Sequence, residues 1–278
     1  MINTVLYTAG QLDVSKIVNC NILLAEDCKL NAKLLTILFE QNGISIQVAT
    51  NGSEAIEKMQ LNNFDIVLMD LEMPVMDGYK ATAMIRQQLK NNIPIVAMTA
   101  HVRPGERERC LRAGMNAYII KPADEQMLFS TIYNLVYNNA HTVSDIITVT
   151  TALMPVAEKI CNLSYLITST RGNKIMLNNI IKMFLQQIPE ELAALDEAIE
   201  KTKYTNISDI AHKLKSSIAV LGIAVLKPLL DEMEQLGNIA SGIEKIKQLN
   251  DGITVIFNKV IEEMKPQMVM QDAYVLSV

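Results

Sequence analysis

The sequence has no long apolar run. None approaches the ~18 residues that span a bilayer, so no transmembrane segment is expected. Met1 to Gln11 carry no basic residue ahead of an apolar core and do not read as a secretory signal. There is also no Lys/Arg-rich run. With 25 Lys and Arg against 30 Asp and Glu the formal net charge is −5, which leaves no electrostatic footprint for nucleic acid. Cysteine is scarce. The four residues, Cys20, Cys28, Cys110 and Cys161, form no CxxC pair and show no metal-ligand spacing. They read as reduced structural thiols, which points to a cytoplasmic setting.

What is present is apolar material in quantity. Half of the 278 residues are hydrophobic, enough for two domains each with its own core. The sixteen methionines read as flexible core filler.

From residue 19 to 139 short apolar runs alternate with amphipathic stretches. The runs are Ile22–Ala25, Ile44–Ala49, Ile66–Met69, Ile93–Met98 and Tyr118–Ile120. The helical patterns are Lys29–Gln41, Ser53–Leu61, Tyr79–Leu89, Glu106–Ala113 and Glu125–Tyr137. Five βα units of this kind predict a parallel sheet covered on both faces, with continuous apolar strands. Right-handed crossovers put all the strand C-termini on one edge, where ligands bind in open α/β folds.

Residues 140–160, rich in Thr, Val and Ser, read as a linker, residues 1–18 as a leader and residues 267–278 as a tail. Between 161 and 266 there is no strand alternation. Helical patterns cover Lys174–Gln187, Pro189–Lys203, Ile207–Leu221, Val225–Leu236 and Ile243–Met264, with Pro189 expected in the first turn of its helix. Short loops between them predict an antiparallel bundle.

The first domain concentrates charge at its strand ends. Glu26 and Asp27 follow the first run, and Asp70 follows the third. In a flavodoxin-like strand order, 2-1-3-4-5, these carboxylates converge at the switch point. Three negative charges in one cleft call for a cation, and hard oxygen ligands suit Mg²⁺. Thr99 and Lys121, at the ends of runs four and five, add a hydroxyl and an ammonium. With the metal and Lys121 balancing the carboxylates, the pocket suits a phosphoryl group, and Asp70 suits the nucleophile of an acyl phosphate. A single acid at a strand end is ordinarily a cap or a solvated residue; five complementary groups at four strand ends are not.

Leu23-Leu24-Ala25-Glu26-Asp27, Leu68-Met69-Asp70-Leu71-Glu72-Met73-Pro74-Val75-Met76-Asp77-Gly78, Met98-Thr99-Ala100 and Tyr118-Ile119-Ile120-Lys121-Pro122 together resemble a response-regulator receiver domain over about 120 residues. The resemblance implies Asp70 as phosphoacceptor. It implies Glu26, Asp27, Asp70 and the backbone carbonyl of Glu72 as Mg²⁺ ligands, and Thr99 and Tyr118 as the hydroxyl and aromatic switch positions. Lys121 matches the family's lysine, and the Lys121–Pro122 bond is expected to be cis.

Of the three histidines, His101 in a loop and His141 in the linker read as solvated. His212 stands out by helical phase. At roughly 100° per residue, Ile207, Ile210, Leu214, Ile218 and Leu221 fall within an arc of about 80°, and His212 points about 160° away from its centre. That phase predicts a solvent-facing imidazole, with Lys215, Ser216 and Ala219 on the same face. An exposed histidine on a helix is ordinarily just a surface residue. Here, however, Ala211-His212-Lys213-Leu214-Lys215-Ser216-Ser217, then Leu221-Gly222, with the preceding Phe184-Leu185 and Pro189-Glu190-Glu191-Leu192, resemble a histidine phosphotransfer (HPt) domain. The family usually has Gly where Ser216 stands, also a small residue. The resemblance implies His212 as phosphoacceptor and Lys215 as its cationic neighbour, with Ser216 and Ala219 on the docking face.

Together the two resemblances imply a multistep phosphorelay. A histidine kinase would supply Asp70, His212 would follow, and a downstream receiver would accept. No P-loop and no ATP-binding glycine box occurs in this chain, so it reads as a phosphotransfer protein rather than a kinase. Two other readings compete. One is a binding module whose helical part only docks, against which the His212 face argues. The other is an aspartyl phosphatase, which usually carries a second Asp two residues after the nucleophile, where this chain has Glu72.

Overall fold

The computed structural model describes residues 17–100, 105–138 and 160–272, with side chains to residue 265. His101, His141, most of the expected leader and linker, and the tail from residue 273 lie outside the described residues. The chain divides into two compact units, one α/β and one helical.

The α/β unit runs β1 (Ile22–Ala25), α1 (Lys29–Glu40), β2 (Ile46–Ala49), α2 (Gly52–Leu61), β3 (Ile66–Asp70), α3 (Gly78–Gln87), β4 (Ile95–Thr99), α4 (Glu106–Ala113), β5 (Ala117–Ile120) and α5 (Glu125–Tyr137). The five strands are parallel in the order β2-β1-β3-β4-β5, as expected for the flavodoxin-like arrangement. Every residue of β1, β3 and β4 is buried, the mark of strands covered on both faces. Alternate residues serve two cores. Leu23, Ala25, Val67, Met69, Ile95, Ala97 and Tyr118 join one cluster with Ala55, Ala81, Ile85 and Cys110. Across the sheet, Phe39 of α1 and Phe129 of α5 meet edge to face at 5.4 Å between ring centroids. Helix starts are set locally. Asn51, Asp77 and Asp124 each accept a hydrogen bond from the backbone N–H three residues on.

The helical unit contains α6 (Ser164–Ser169), α7 (Lys174–Glu200), α8 (Tyr204–Val220), a 3₁₀ turn (Ala224–Leu226), α9 (Lys227–Asn238) and α10 (Ile243–Asp272). Contacts of α7 with α8, α8 with α9, α9 with α10 and α10 with α7 close a four-helix arrangement. Phe184 and Phe257 face each other in its core at 6.3 Å.

One boundary differs from expectation. Pro189 does not start a helix; it lies inside α7. The buried stripe Ile181, Phe184, Ile188, Leu192, Leu195, Ile199 passes it unbroken. Burial along that stripe outweighs the ~3 kcal/mol local cost of an interior proline, and the ring itself is exposed. No disulfide joins the four cysteines, all of which are buried. Among the described residues, no helix is long and apolar enough to cross a membrane.

Candidate functional site: an acidic sheet edge and a buttressed histidine

Because the strands are parallel and in register, their C-terminal ends bring distant residues together. Asp70 ends β3 and Thr99 ends β4, while Glu26 and Asp27 follow β1 and Lys121 follows β5. The Lys121 ammonium pairs with Asp70 Oδ2 at 2.5 Å and with Glu26 Oε2 at 2.6 Å. Its backbone N–H donates to the Thr99 carbonyl at 2.6 Å, and the Lys121–Pro122 bond is cis. The Glu72 N–H donates to Asp70 Oδ1 at 3.2 Å, so the Glu72 peptide lies beside the nucleophile candidate. Gly78 lets the following loop fold back onto β3, since a Cβ there would sit 2.2 Å from the Asp70 carbonyl oxygen.

Glu26, Asp70, Thr99 and Lys121 are buried; Asp27 is half-buried. Burial, then the Asp70 and Asp27 charges, push the Glu26 carboxyl up to about 7 against the opposing pull of Lys121. Burial works to lower the Lys121 pKa, but the Asp70 and Glu26 charges outweigh it and hold the ammonium protonated. One carboxylate oxygen from each of Glu26, Asp27 and Asp70 lies within 4.8 Å of the others. An octahedral ion with ~2.1 Å bonds spaces its ligand oxygens about 3 to 4 Å apart, and hard anionic oxygens are what a divalent cation takes. The donor set therefore fits such an ion. Tyr118 is buried in the cluster beneath the edge. Its phenol is pushed up to about 12 by burial, with smaller contributions from Cys110 and Glu106.

The second acceptor candidate is placed differently from expectation. His212 is 5% exposed, not solvent-facing. Its Nδ1 lies 3.1 Å from Glu234 Oε1 on α9. The other Glu234 oxygen pairs with Lys215 Nζ, and Lys215 also reaches Asp231 Oδ1 at 3.1 Å. Ser216 is likewise buried, at 1%, and Ala219 is only partly exposed. Within the helical unit, α9 covers part of the polar side of α8. Gly237 brings α9 against α8 so closely that a Cβ there would meet the Ser208 nitrogen at 2.9 Å. Ser208 Oγ bonds Asn238 Oδ1 at 2.9 Å in the same contact. Glu234, one turn earlier on α9, then faces His212 and Lys215.

Glu234 and Asp231 are site residues that the reading of α8 alone did not name. The sequence did hold a signal for one of them. Leu230, Met233 and Gly237 mark the buried side of α9, and Glu234 occupies a position on that same stripe. A carboxylate on an apolar stripe asks for a partner. With Nδ1–H given to Glu234, the lone pair of the imidazole sits on Nε2. This tautomer is assigned from the hydrogen bond.

Residues 22–133 match the response regulator receiver domain, and residues 179–258 match the Hpt domain. The chain is 27% identical over 217 residues to the signal transduction histidine-protein kinase BarA of Escherichia coli (strain K12), covering 77% of this chain and 23% of that protein. It is 31% identical over 159 residues to histidine kinase 1 of Arabidopsis thaliana, covering 44% of this chain and 13% of that one. Among solved structures, a Francisella response regulator 1452 receiver domain is 30% identical with a TM-score of 0.41, over 44% of this chain and 98% of that chain. This chain thus spans 23% of the length of the BarA relative. The chain thus carries a response regulator receiver domain followed by an Hpt domain.

Proposed function

We propose that this chain relays a phosphoryl group between Asp70 and His212 in a cytoplasmic His–Asp phosphorelay. A histidine kinase is the donor and a receiver domain on another regulator is the final acceptor. The observation that carries the reading is the pair of acceptors, each with the polar partners its chemistry needs. Asp70 has Lys121 on one oxygen and the Glu72 N–H on the other. His212 has Glu234 on Nδ1.

In the first step an Asp70 carboxylate oxygen attacks phosphorus. A P–O bond forms as the donor's P–N bond breaks, and the donor imidazole leaves with the electron pair and takes up a proton. Lys121 neutralises charge on the phosphoryl oxygens, and the Thr99 hydroxyl at the end of β4 offers them a donor. Glu26, Asp27, Asp70 and the Glu72 carbonyl would hold Mg²⁺, which supplies charge neutralisation at the transferring group. In the second step His212 Nε2 attacks the acyl phosphate and the Asp70 carboxylate leaves. Glu234 fixes the tautomer that makes Nε2 the nucleophile and stabilises the positive charge that builds on the ring; Lys215 sets the position of Glu234. Tyr118 and Thr99 are assigned the switch role, and two small residues of α8, the partly exposed Ala219 and the buried Ser216, leave room for a receiver.

The test uses the full chain with labelled acetyl phosphate and Mg²⁺. An acyl phosphate on Asp70 is base-labile, whereas a phosphohistidine on His212 is acid-labile. Both labels are expected in the unmodified chain, and only the base-labile one in His212→Ala. A base-labile label that survives Asp70→Asn overturns the assignment of Asp70.

A further inference from the structure

Lys215 and Ser216 follow His212 on α8 by three and four residues, so both lie one turn along the same face. Lys215 is the cation of that face, but its ammonium is already engaged. It pairs with Glu234 and, at 3.1 Å, with Asp231 Oδ1, both on α9. Asp231 is held in turn at its other oxygen by Lys227, at 2.6 Å. Two carboxylates thus draw the Lys215 charge towards α9, and a phosphoryl group on His212 would have to compete with them for it.

Ser216 is in the opposite situation. It is 1% exposed, and among the described residues its hydroxyl makes no hydrogen bond. A hydroxyl inside a helix ordinarily bonds back to the carbonyl four residues earlier. Thr82 does so to Gly78 at 2.7 Å, and Thr170 to Leu166 at 2.8 Å. For Ser216 that carbonyl belongs to His212, and the bond is not made. A shielded hydroxyl without a partner costs stability, and polar groups inside folded proteins are nearly all paired. Alanine or glycine would fill the same place without that cost. The unused donor therefore calls for a partner that comes and goes. Each Cα–Cβ bond of a helix tilts towards its N-terminus, which leans Ser216 towards the turn that carries His212. Glu234 holds the imidazole at Nδ1, so a phosphoryl group joins at Nε2 and carries its oxygens one bond further from the ring.

We propose that the Ser216 hydroxyl donates a hydrogen bond to an oxygen of the phosphoryl group on His212 Nε2, and so stabilises the phosphohistidine form. The inference rests on the relay reading of Asp70 and His212. It adds a residue of α8 that touches the transferred group. No covalent bond to Ser216 forms or breaks, and the hydroxyl keeps its proton. The P–N bond still forms at Nε2 as the acyl P–O bond breaks. Because the hydrogen bond exists only while phosphate is on His212, it shifts the balance between the two acceptors towards His212.

The experiment compares the full chain with Ser216→Ala and Ser216→Gly. Both replacements are smaller than serine, so neither narrows the face that a receiver approaches. The base-labile label that acetyl phosphate places on Asp70 should appear at the unmodified rate in both. Once the two labels reach a constant ratio, acid-labile over base-labile should be about tenfold lower in both variants, the loss of one hydrogen bond to a charged group. The phosphorus NMR resonance of the phosphohistidine should shift as well. Ser216→Ala should melt no lower than the unmodified chain, because the unphosphorylated fold loses no bond. An unchanged label ratio in Ser216→Ala overturns the donor role. A fall confined to Ser216→Gly also overturns it, since that would reflect only the poor helix propensity of glycine. A lower melting temperature for Ser216→Ala overturns the claim that the hydroxyl is unused until phosphate arrives. If the unmodified chain gains a base-labile label but never an acid-labile one, the relay reading fails, and this inference with it.

Discussion

Replacing Glu234 by glutamine removes one negative charge while keeping the side chain's volume and an oxygen to accept from His212 Nδ1. Glu234 is 4% exposed, so the interaction is shielded from water. A hydrogen bond to a charged group contributes about 1.5–3 kcal/mol and a neutral one about 0.5–1.5, so the change weakens support for the ring by about 1–1.5 kcal/mol. The imidazole gains positive charge as Nε2 bonds phosphorus. If that loss is felt in full at the transition state, transfer to His212 slows about tenfold. Lys215 keeps its pairing with Asp231 at 3.1 Å, so the Gln variant should stay folded. Glu234→Ala is harsher. It removes the buried carboxylate from Lys215, and its stability cost should approach the low end of the ~3–5 kcal/mol seen on breaking a buried pair. The assay is the rate at which acid-labile label appears in the full chain after acetyl phosphate addition, beside a melting curve for each variant. A folded Glu234→Gln chain that labels His212 at the unmodified rate refutes the argument that Glu234 orients and polarises the imidazole.

Chelation of divalent ions should abolish base-labile labelling of Asp70, and added Mg²⁺ should restore it. Retention of the label in excess EDTA would count against the acidic edge as a metal site. His212→Ala should remove the acid-labile label and also cost about 1–3 kcal/mol, because Glu234 loses a buried partner. Chemical denaturation measures that cost; a neutral substitution would mean that the imidazole is not packed against α9.

The two sites differ in how far the sequence could disclose them. The receiver site is made by strand ends. Once five parallel strands are inferred, Glu26, Asp27, Asp70, Thr99 and Lys121 must share an edge, and the Lys121 pairing with Glu26 and Asp70 follows from topology. No comparable rule links α8 to α9. Helical phase says which side of α8 is apolar, but not which other helix covers a polar side. His212 was therefore placed in solvent although it is buried. The informative residue was Gly237, whose missing side chain sets how close α9 comes.

Pro189 offers the sharpest comparison, because sequence rules and structure give opposite signs for one substitution. If Pro189 opened a helix, its fixed φ would be an asset and its missing N–H no loss. Alanine there would then be neutral or destabilising. Inside α7, the proline forfeits a hydrogen bond to the carbonyl four residues earlier. Alanine would restore that bond and remove the ring's clash, a gain of up to about 3 kcal/mol. Against this, the unfolded chain regains freedom that proline had removed, worth about 0.4–1 kcal/mol. The exposed ring leaves no packing to lose. Pro189→Ala should therefore stabilise the helical unit by about 2 kcal/mol, which for a unit of this size is a rise in melting temperature on the order of 10 °C. Scanning calorimetry of the full chain reads this as an upward shift of the helical unit's transition alone. A downward shift would mean that the helix breaks at Pro189, and the unbroken stripe from Ile181 to Ile199 would then have to be carried by two helices rather than one.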